Sequence, residues 1–188
     1  AQLIGADPKE IIFTGGGSEA DNLAIKGAAW ALKDKGKHII TSAIEHHALL
    51  DTVKWLGKNG YEYTILPVDE TGLVDPKELE AAIRPDTILA SIMFANNEIG
   101  TIQPVAELGE VCRRHGVLFH TDGVQATGHV KIDMKELPID MMTMAAHKMY
   151  GPKGVGALYV RKGIKLIPVI HGGGQEFGVR SGTENTPG

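Results

Sequence analysis

The chain has 188 residues, 43% hydrophobic and 22% charged, an ordinary globular composition long enough to bury a core as one domain, or as one domain with a piece of another. Its formal net charge is −4 with no long basic run, which argues against a nucleic-acid surface, and no apolar stretch approaches the roughly 20 residues of a membrane span. A single cysteine, Cys112, excludes an internal disulfide and makes the cytosol the simplest compartment, so a cytoplasmic protein is expected. The residues from Ala1 to Asp7 lack the basic and apolar regions of a signal peptide. Both ends read as cut, and a segment of a longer protein is expected.

Strand and helix patterns alternate along the chain. Residues 10–13 read as a strand, and 18–33 as a helix with Ser18 at its cap. A strand over 37–41, a helix over 47–58 and a strand over 61–66 follow. Asp75-Pro76 opens a short helix that ends near Ile83, with proline at its first position. Residues 87–94 form a continuous apolar run, as in a sheet covered on both faces. A helix over 104–115 comes next, then strands over 117–120, 139–144 and 156–160. This repetition predicts an α/β fold: a three-layer α/β/α sandwich around a mostly parallel sheet. Ligands of such sheets sit beyond the C-terminal ends of the strands.

Several candidate sites fall at those ends. The turn Thr14-Gly15-Gly16-Gly17-Ser18 follows a strand and opens a helix, so free amides and the helix dipole suit an anion there, with Ser18 adding a hydroxyl. A plain capped helix is the alternative. The spacing Gly15-x-Gly17-x-x-Ala20 also fits a dinucleotide fingerprint, which suggests a nucleotide-binding oxidoreductase. That reading is weakened because no acid closes the next strand at the usual distance. His46, in Glu45-His46-His47, can stack on an aromatic ring or move a proton, or can simply cap a helix; adjacent histidines seldom share a metal ion. In Asn96-Asn97-Glu98-Ile99-Gly100 a carboxamide can meet a cofactor or substrate oxygen, or can merely serve the turn.

Asp122 closes one apolar strand, and Lys148 follows another in His147-Lys148-Met149-Tyr150-Gly151-Pro152. A lysine desolvated at the end of a buried strand can form an imine with a carbonyl, which is how proteins hold pyridoxal 5'-phosphate (PLP). An ionised Asp122 would keep the pyridine nitrogen of such a cofactor protonated, and Gln125 could reach its phenolic oxygen. A helix-capping Asp122 is the alternative. Cys112 shares one helical face with Val105, Leu108 and Val111 and reads as core, as do Met141, Met142 and Met144.

The ordered strings resemble the NifS/IscS-type cysteine desulfurases of the class V aminotransferase family. They are Gly16-Gly17-Ser18-Glu19-Ala20-Asp21-Asn22, Glu45-His46-His47, Asn96-Asn97-Glu98-Ile99-Gly100, Asp122-Gly123-Val124-Gln125, Ala146-His147-Lys148-Met149-Tyr150-Gly151-Pro152-Lys153-Gly154 and Gly172-Gly173-Gly174-Gln175-Glu176, then Arg180-Ser181-Gly182-Thr183-Glu184-Asn185. The resemblance implies a PLP enzyme of fold type I that converts L-cysteine to L-alanine and a persulfide on an enzyme cysteine. That sulfur would feed iron–sulfur cluster or thio-cofactor assembly through an acceptor or scaffold protein. Lys148 matches the Schiff-base lysine, His46 the stacking histidine, Asp122 and Gln125 the ring partners, and Asn97 the cofactor-facing asparagine. Gly17, Ser18 and His147 match phosphate-binding positions. Thr183 matches a threonine that reaches the neighbouring subunit's phosphate, which implies a homodimer.

Two departures stand out. Ala145 replaces a serine usual three residues before the lysine, which implies weaker phosphate binding. Phe177 stands where an arginine is common. The family's nucleophilic cysteine and substrate-carboxylate arginine match nothing here, so residues 1–188 are expected to be the PLP-binding large domain without the N-terminal arm and the C-terminal small domain. A selenocysteine lyase or an aminotransferase of the same class is the alternative activity.

Overall fold

The computed structural model describes all of residues 1–188. Seven strands make one sheet: β1 (Ile11–Thr14), β2 (His38–Ser42), β3 (Glu62–Leu66), β4 (Thr87–Ser91), β5 (Leu118–Asp122), β6 (Met141–Ala145) and β7 (Gly156–Val160). Their order is β1-β7-β6-β5-β4-β2-β3. β3, β2, β4, β5 and β6 pair in parallel, while β7 is antiparallel to both β6 and β1. β7 alone therefore runs against the other strands, and the sheet is mostly parallel as the alternation of elements predicts.

Four helices cover it: α1 (Gly17–Ala31), α2 (His47–Gly57), α3 (Pro76–Ala82) and α4 (Val105–His115). Side chains along a strand alternate faces, and here the alternation feeds two cores. Ile39, Leu89, Met141 and Leu158 pack with α1 and α2 through Leu23, Ala24, Ile25, Leu49 and Val53. Ile40, Ala90, Met142 and Tyr159 pack on the other face with Leu79 of α3 and with Leu108, Val111 and Cys112 of α4. β2, β4, β6 and β7 are buried at every position, as strands of a sheet covered on both faces are. No helix is long and apolar enough to cross a membrane.

Several predicted boundaries move. Ser18 does not cap α1; Gly16 does, at φ 154 and ψ 177, a region open essentially to glycine. The glycine turn enters the helix one residue earlier than the serine signal suggests, and Ser18 lies exposed in the first turn. The run 87–94 leaves the regular ladder after Ser91, yet Ile92 and Phe94 still donate to the His120 and Asp122 carbonyls, at 3.2 and 2.8 Å. β5 reaches Asp122 instead of stopping at His120, which sets Asp122 as a strand terminus.

The residues after β7 form no further strand. Ile167 N donates to Gly27 O at 3.1 Å, so this segment lies along α1. Arg180 grips Glu19 with Nε to Oε1 at 2.6 Å and a second nitrogen to Oε2 at 3.2 Å. Both side chains are mostly buried, so this two-point pair fixes the C-terminal segment beside the start of α1.

Candidate active site

Five loops meet at the C-terminal ends of the strands. The first is the glycine turn. Ala20 is the first amide of α1 to find an acceptor in its own turn, Gly16 O at 3.1 Å, while the amides of Gly17, Ser18 and Glu19 have none. The turn is drawn tight against its neighbours. A Cβ on Gly17 would stand 3.1 Å from Val124 Cγ2 and 3.5 Å from Ala145 Cβ. The start of α1, the loop after β5 and the end of β6 thus converge on a helix N-terminus with unused donors, a setting suited to an anion.

β5 delivers Asp122, nearly buried. Its Oδ1 accepts from Val124 N at 2.9 Å, and Oδ2 makes no hydrogen bond to the protein. Burial raises the carboxyl pKa, opposed by the Val124 amide and the nearby His46. Asp122 holds the turn as well as facing the edge, so its capping and site readings coexist. Gln125, three residues on, is half-buried.

His46 caps α2: its Nδ1 accepts from Ala48 N at 3.1 Å. That bond occupies Nδ1 and leaves Nε2 of the exposed ring without a partner in the protein. The turn before it is anchored by Glu45, whose Oε1 accepts from Ser42 Oγ at 2.5 Å and from Met93 N at 2.8 Å. Glu45 is buried, and burial pushes its pKa up to about 8 against those two donors. In the loop after β4 the two asparagines divide the work. Asn96 is buried and structural, donating to Ile44 O at 2.9 Å and accepting from Glu98 N and Ile99 N. Asn97 is exposed and makes no hydrogen bond, which leaves its carboxamide available.

After β6, the 3-10 turn Ala146–Lys148 carries His147 and Lys148. His129 Nε2 lies 3.1 Å from the Lys148 carbonyl, and Gly151 N donates to Ala146 O at 2.8 Å, which holds the turn closed. A Cβ on Gly151 would come within 2.8 Å of Ala146 Cβ, so glycine is required there. Lys148 itself is exposed. The expectation that the strand desolvates its ammonium is corrected: burial ends at Ala145, and the turn that follows leaves the lysine exposed.

The sequence-derived residues Gly17 and Ser18 in the first turn of α1, Asp122 at the end of β5, and His46, Asn97, Gln125, His147 and Lys148 in the connections after the strands all lie at this one edge. Thr183 lies exposed on the segment that Arg180 pins beside α1. The dinucleotide reading of the glycine turn is not sustained. That turn follows an edge strand paired only with the reversed β7, whereas the dinucleotide fold carries it on a central strand of its own order. Cys112 is fully buried in the α4 core with its thiol pKa pushed up to about 12 by that burial, so it is no nucleophile as it stands.

Two residues were missed in the sequence. Asp21 is buried on the inner face of α1, and His120 is fully buried on β5. The signal was present: Asp21 interrupts the stripe of Ala20, Ala24, Ile25 and Ala28, and His120 shares its strand face with Leu118 and Asp122.

The aminotransferase class-V family model matches residues 1–187. The cysteine desulfurase IscS of Methanosarcina thermophila is 61% identical over 188 residues, which is all of this chain and 46% of that protein. The cysteine desulfurase IscS of Clostridium botulinum strain Hall is 58% identical over the same span, 47% of its length. The chain thus spans about half the length of the curated relatives it matches. Among solved structures, a NifS-like protein superposes with a TM-score of 0.97 at 44% identity, over all of this chain and 52% of that one. SspA in complex with cysteine gives 0.96 at 47% identity, over all of this chain and 55% of that one.

Proposed function

We propose that this chain, which belongs to the aminotransferase class-V family, is the PLP-binding large domain of a cysteine desulfurase. The observation that carries the reading is the convergence at one sheet edge of a buried carboxylate with an unused oxygen, Asp122, a helix start with three free amides, and the loop of Lys148. These groups fit PLP: an acid for the ring nitrogen, donors for the phosphate, and an amine for the aldehyde.

In this reading Gly17, Ser18 and His147 bind the phosphate. Asp122 holds a proton at the pyridine nitrogen, Gln125 bonds the phenolic oxygen, His46 stacks on the ring, and Asn97 orients cofactor and substrate. Bound PLP supplies an electron sink for charge developing at the substrate α-carbon. Lys148 Nζ anchors the cofactor and takes or returns the proton at that carbon. Thr183 serves the phosphate of a partner subunit in a homodimer.

The substrate is L-cysteine. The products are L-alanine and a persulfide sulfur passed to an acceptor or scaffold protein for iron–sulfur cluster or thio-cofactor assembly in the cytoplasm. Cys112 is buried and its thiol pKa raised, so in this reading the sulfur-accepting cysteine is another one in a longer chain, as is the carboxylate-binding arginine that the family resemblance implies. Sulfide release from L-cysteine separates the possibilities. With an added dithiol to reduce the persulfide, the full-length enzyme should form sulfide and alanine, and the 188-residue chain should remain at background. Sulfide formation by the short chain that Cys112→Ser abolishes would overturn the assignment, and a keto-acid product from the long one would favour an aminotransferase.

A further inference from the structure

The glycine turn and the segment after β7 are joined by charged side chains that the proposed chemistry does not use. Glu19, in the first turn of α1, reaches back past the Gly16 cap, and its Oε2 accepts from Gly15 N at 2.8 Å. Arg180 closes on the same carboxylate, with Nε to Oε1 at 2.6 Å and a second nitrogen to Oε2 at 3.2 Å. Both groups lie against the turn: a Cβ on Gly15 would stand 2.8 Å from Glu19 Oε2 and 3.8 Å from a terminal nitrogen of Arg180. On the strand side of the turn, Glu176 Oε2 accepts from Phe13 N at 3.0 Å. Glu176 and Arg180, both on the segment that leads to Thr183, therefore bear on the residues that flank the free amides of Gly17, Ser18 and Glu19.

For an anion at the helix start, Glu19 alone would help and hinder at once. It helps by fixing the turn. Its carboxylate engages Gly15 N, and Thr14 Oγ1 donates to Gly16 O at 3.0 Å, so the chain enters α1 in one conformation with the following amides presented together. It hinders because a carboxylate there brings negative charge to the helix end that a phosphate would use, and like charges repel most where water is thin. Arg180 removes the conflict. The Glu19 and Arg180 side chains are only 25% and 20% exposed, so this two-point pair is largely shielded from solvent. Burial alone would raise the Glu19 pKa, but the Arg180 and Gly15 bonds bring it below its ordinary value. The carboxylate is therefore charged at neutral pH, and its neutralisation falls to Arg180.

We propose that Glu19 and Arg180 are positioning residues for the cofactor phosphate: Glu19 holds the glycine turn through the Gly15 amide, and Arg180 cancels the charge that this tether brings to the anion-binding start of α1. The inference rests on the reading of that turn as the phosphate site of PLP. Neither side chain is assigned a contact with the phosphate; both act through the turn. The same pair ties the segment of Thr183 to the turn, so one joint sets the phosphate cradle of its own subunit and the place of Thr183.

The test uses the cofactor-free full-length enzyme and compares its affinity for PLP with that for pyridoxal, which offers the same aldehyde without the phosphate. Arg180→Met leaves the Glu19 carboxylate bare, and the preference for PLP over pyridoxal should fall about tenfold. Arg180→Lys keeps the cation and should stay within about threefold of wild type. Glu19→Gln added to Arg180→Met removes the charge while its amide oxygen can still accept from Gly15, and should restore the preference to within about threefold of wild type. If Arg180→Met does not fold, Arg180→Gln removes the same charge, keeps a donor for Glu19 and should show the same fall. Equal losses for PLP and pyridoxal would reduce the pair to a brace for the fold and overturn the proposal. A double variant no better than Arg180→Met would overturn it too, since a direct bond from Arg180 to the phosphate gives that result. Hydrogen exchange of the peptide that holds Gly15 reads the tether without cofactor: Glu19→Ala should speed it, and an unchanged rate would contradict the tether. A wild-type enzyme with no preference for PLP over pyridoxal would overturn the phosphate reading of the turn instead.

Discussion

Two buried histidines sit at opposite ends of the sheet, and their surroundings differ in one respect. His38, at the start of β2, lies between Thr87 Oγ1 at 2.7 Å and Thr64 Oγ1 at 2.9 Å. Thr87 in turn accepts from Arg84 N, so every group in that set is satisfied. Asp140, at the same end, accepts from Phe119 N at 2.9 Å and faces Arg161. His120, near the end of β5, is also held between two hydroxyls but borders an acid. The buried polar atoms without a partner belong to Asp21, Thr41, Glu45 and Thr121, all toward the C-terminal end of the strands. One end of the sheet is finished for stability. The other holds uncompensated polar groups, which is where function is expected to reside.

The contrast can be broken most strongly at Asp122. In the full-length enzyme, Asp122→Ala removes a charge-assisted bond worth about 1.5–3 kcal/mol, so PLP affinity should fall on the order of 10- to 100-fold while the melting temperature changes little. Equilibrium dialysis against PLP reads the first and calorimetry the second. Wild-type affinity would remove Asp122 from the site.

Glu45 sharpens the comparison through pH. Its folded-state pKa of about 8 lies above the ordinary 4.5, so the folded chain keeps a proton that the unfolded chain releases. The stability tied to that proton is full below about 4.5 and is lost as pH rises through about 8. Thermal melts of wild type should therefore weaken across this interval, and Glu45→Gln should flatten the slope, gaining most near pH 8. An unchanged slope would mean that Glu45 is ionised throughout.

At the finished end, His38→Leu strips hydrogen bonds from Thr64 and Thr87 and should cost about 1–3 kcal/mol of stability without moving PLP affinity. A parallel loss of PLP affinity would show that the two ends are coupled. The smallest change expected is a gain. Ala145 lies beside Gly17, and Ala145→Ser would offer the phosphate a hydroxyl, so PLP affinity should rise about two- to tenfold. No gain would mean that the residue 145 side chain does not reach the phosphate.

Strand and helix identity was legible because pattern and burial coincide: β2, β4, β6 and β7 place apolar residues on both faces and are buried on both. The reversal of β7 was not, since a fully buried strand reads alike in either direction, and no local signal tells β1 to pair with it. At the site, Asp122 and the glycine turn announced themselves through strand-end position. Lys148 was located but its exposure was not, because a buried strand says nothing of how its following turn points. Ser18 lost the cap to Gly16, whose backbone only glycine adopts. Asp21 and His120 were passed over because each reads as an ordinary polar residue until the stripe around it is traced.

The central claim is that this edge holds PLP through Lys148. Borohydride reduction of the PLP-loaded full-length enzyme, followed by peptide mapping, tests it directly. The account predicts a pyridoxyl group on Lys148 and none after Lys148→Ala; label carried by any other lysine would contradict it.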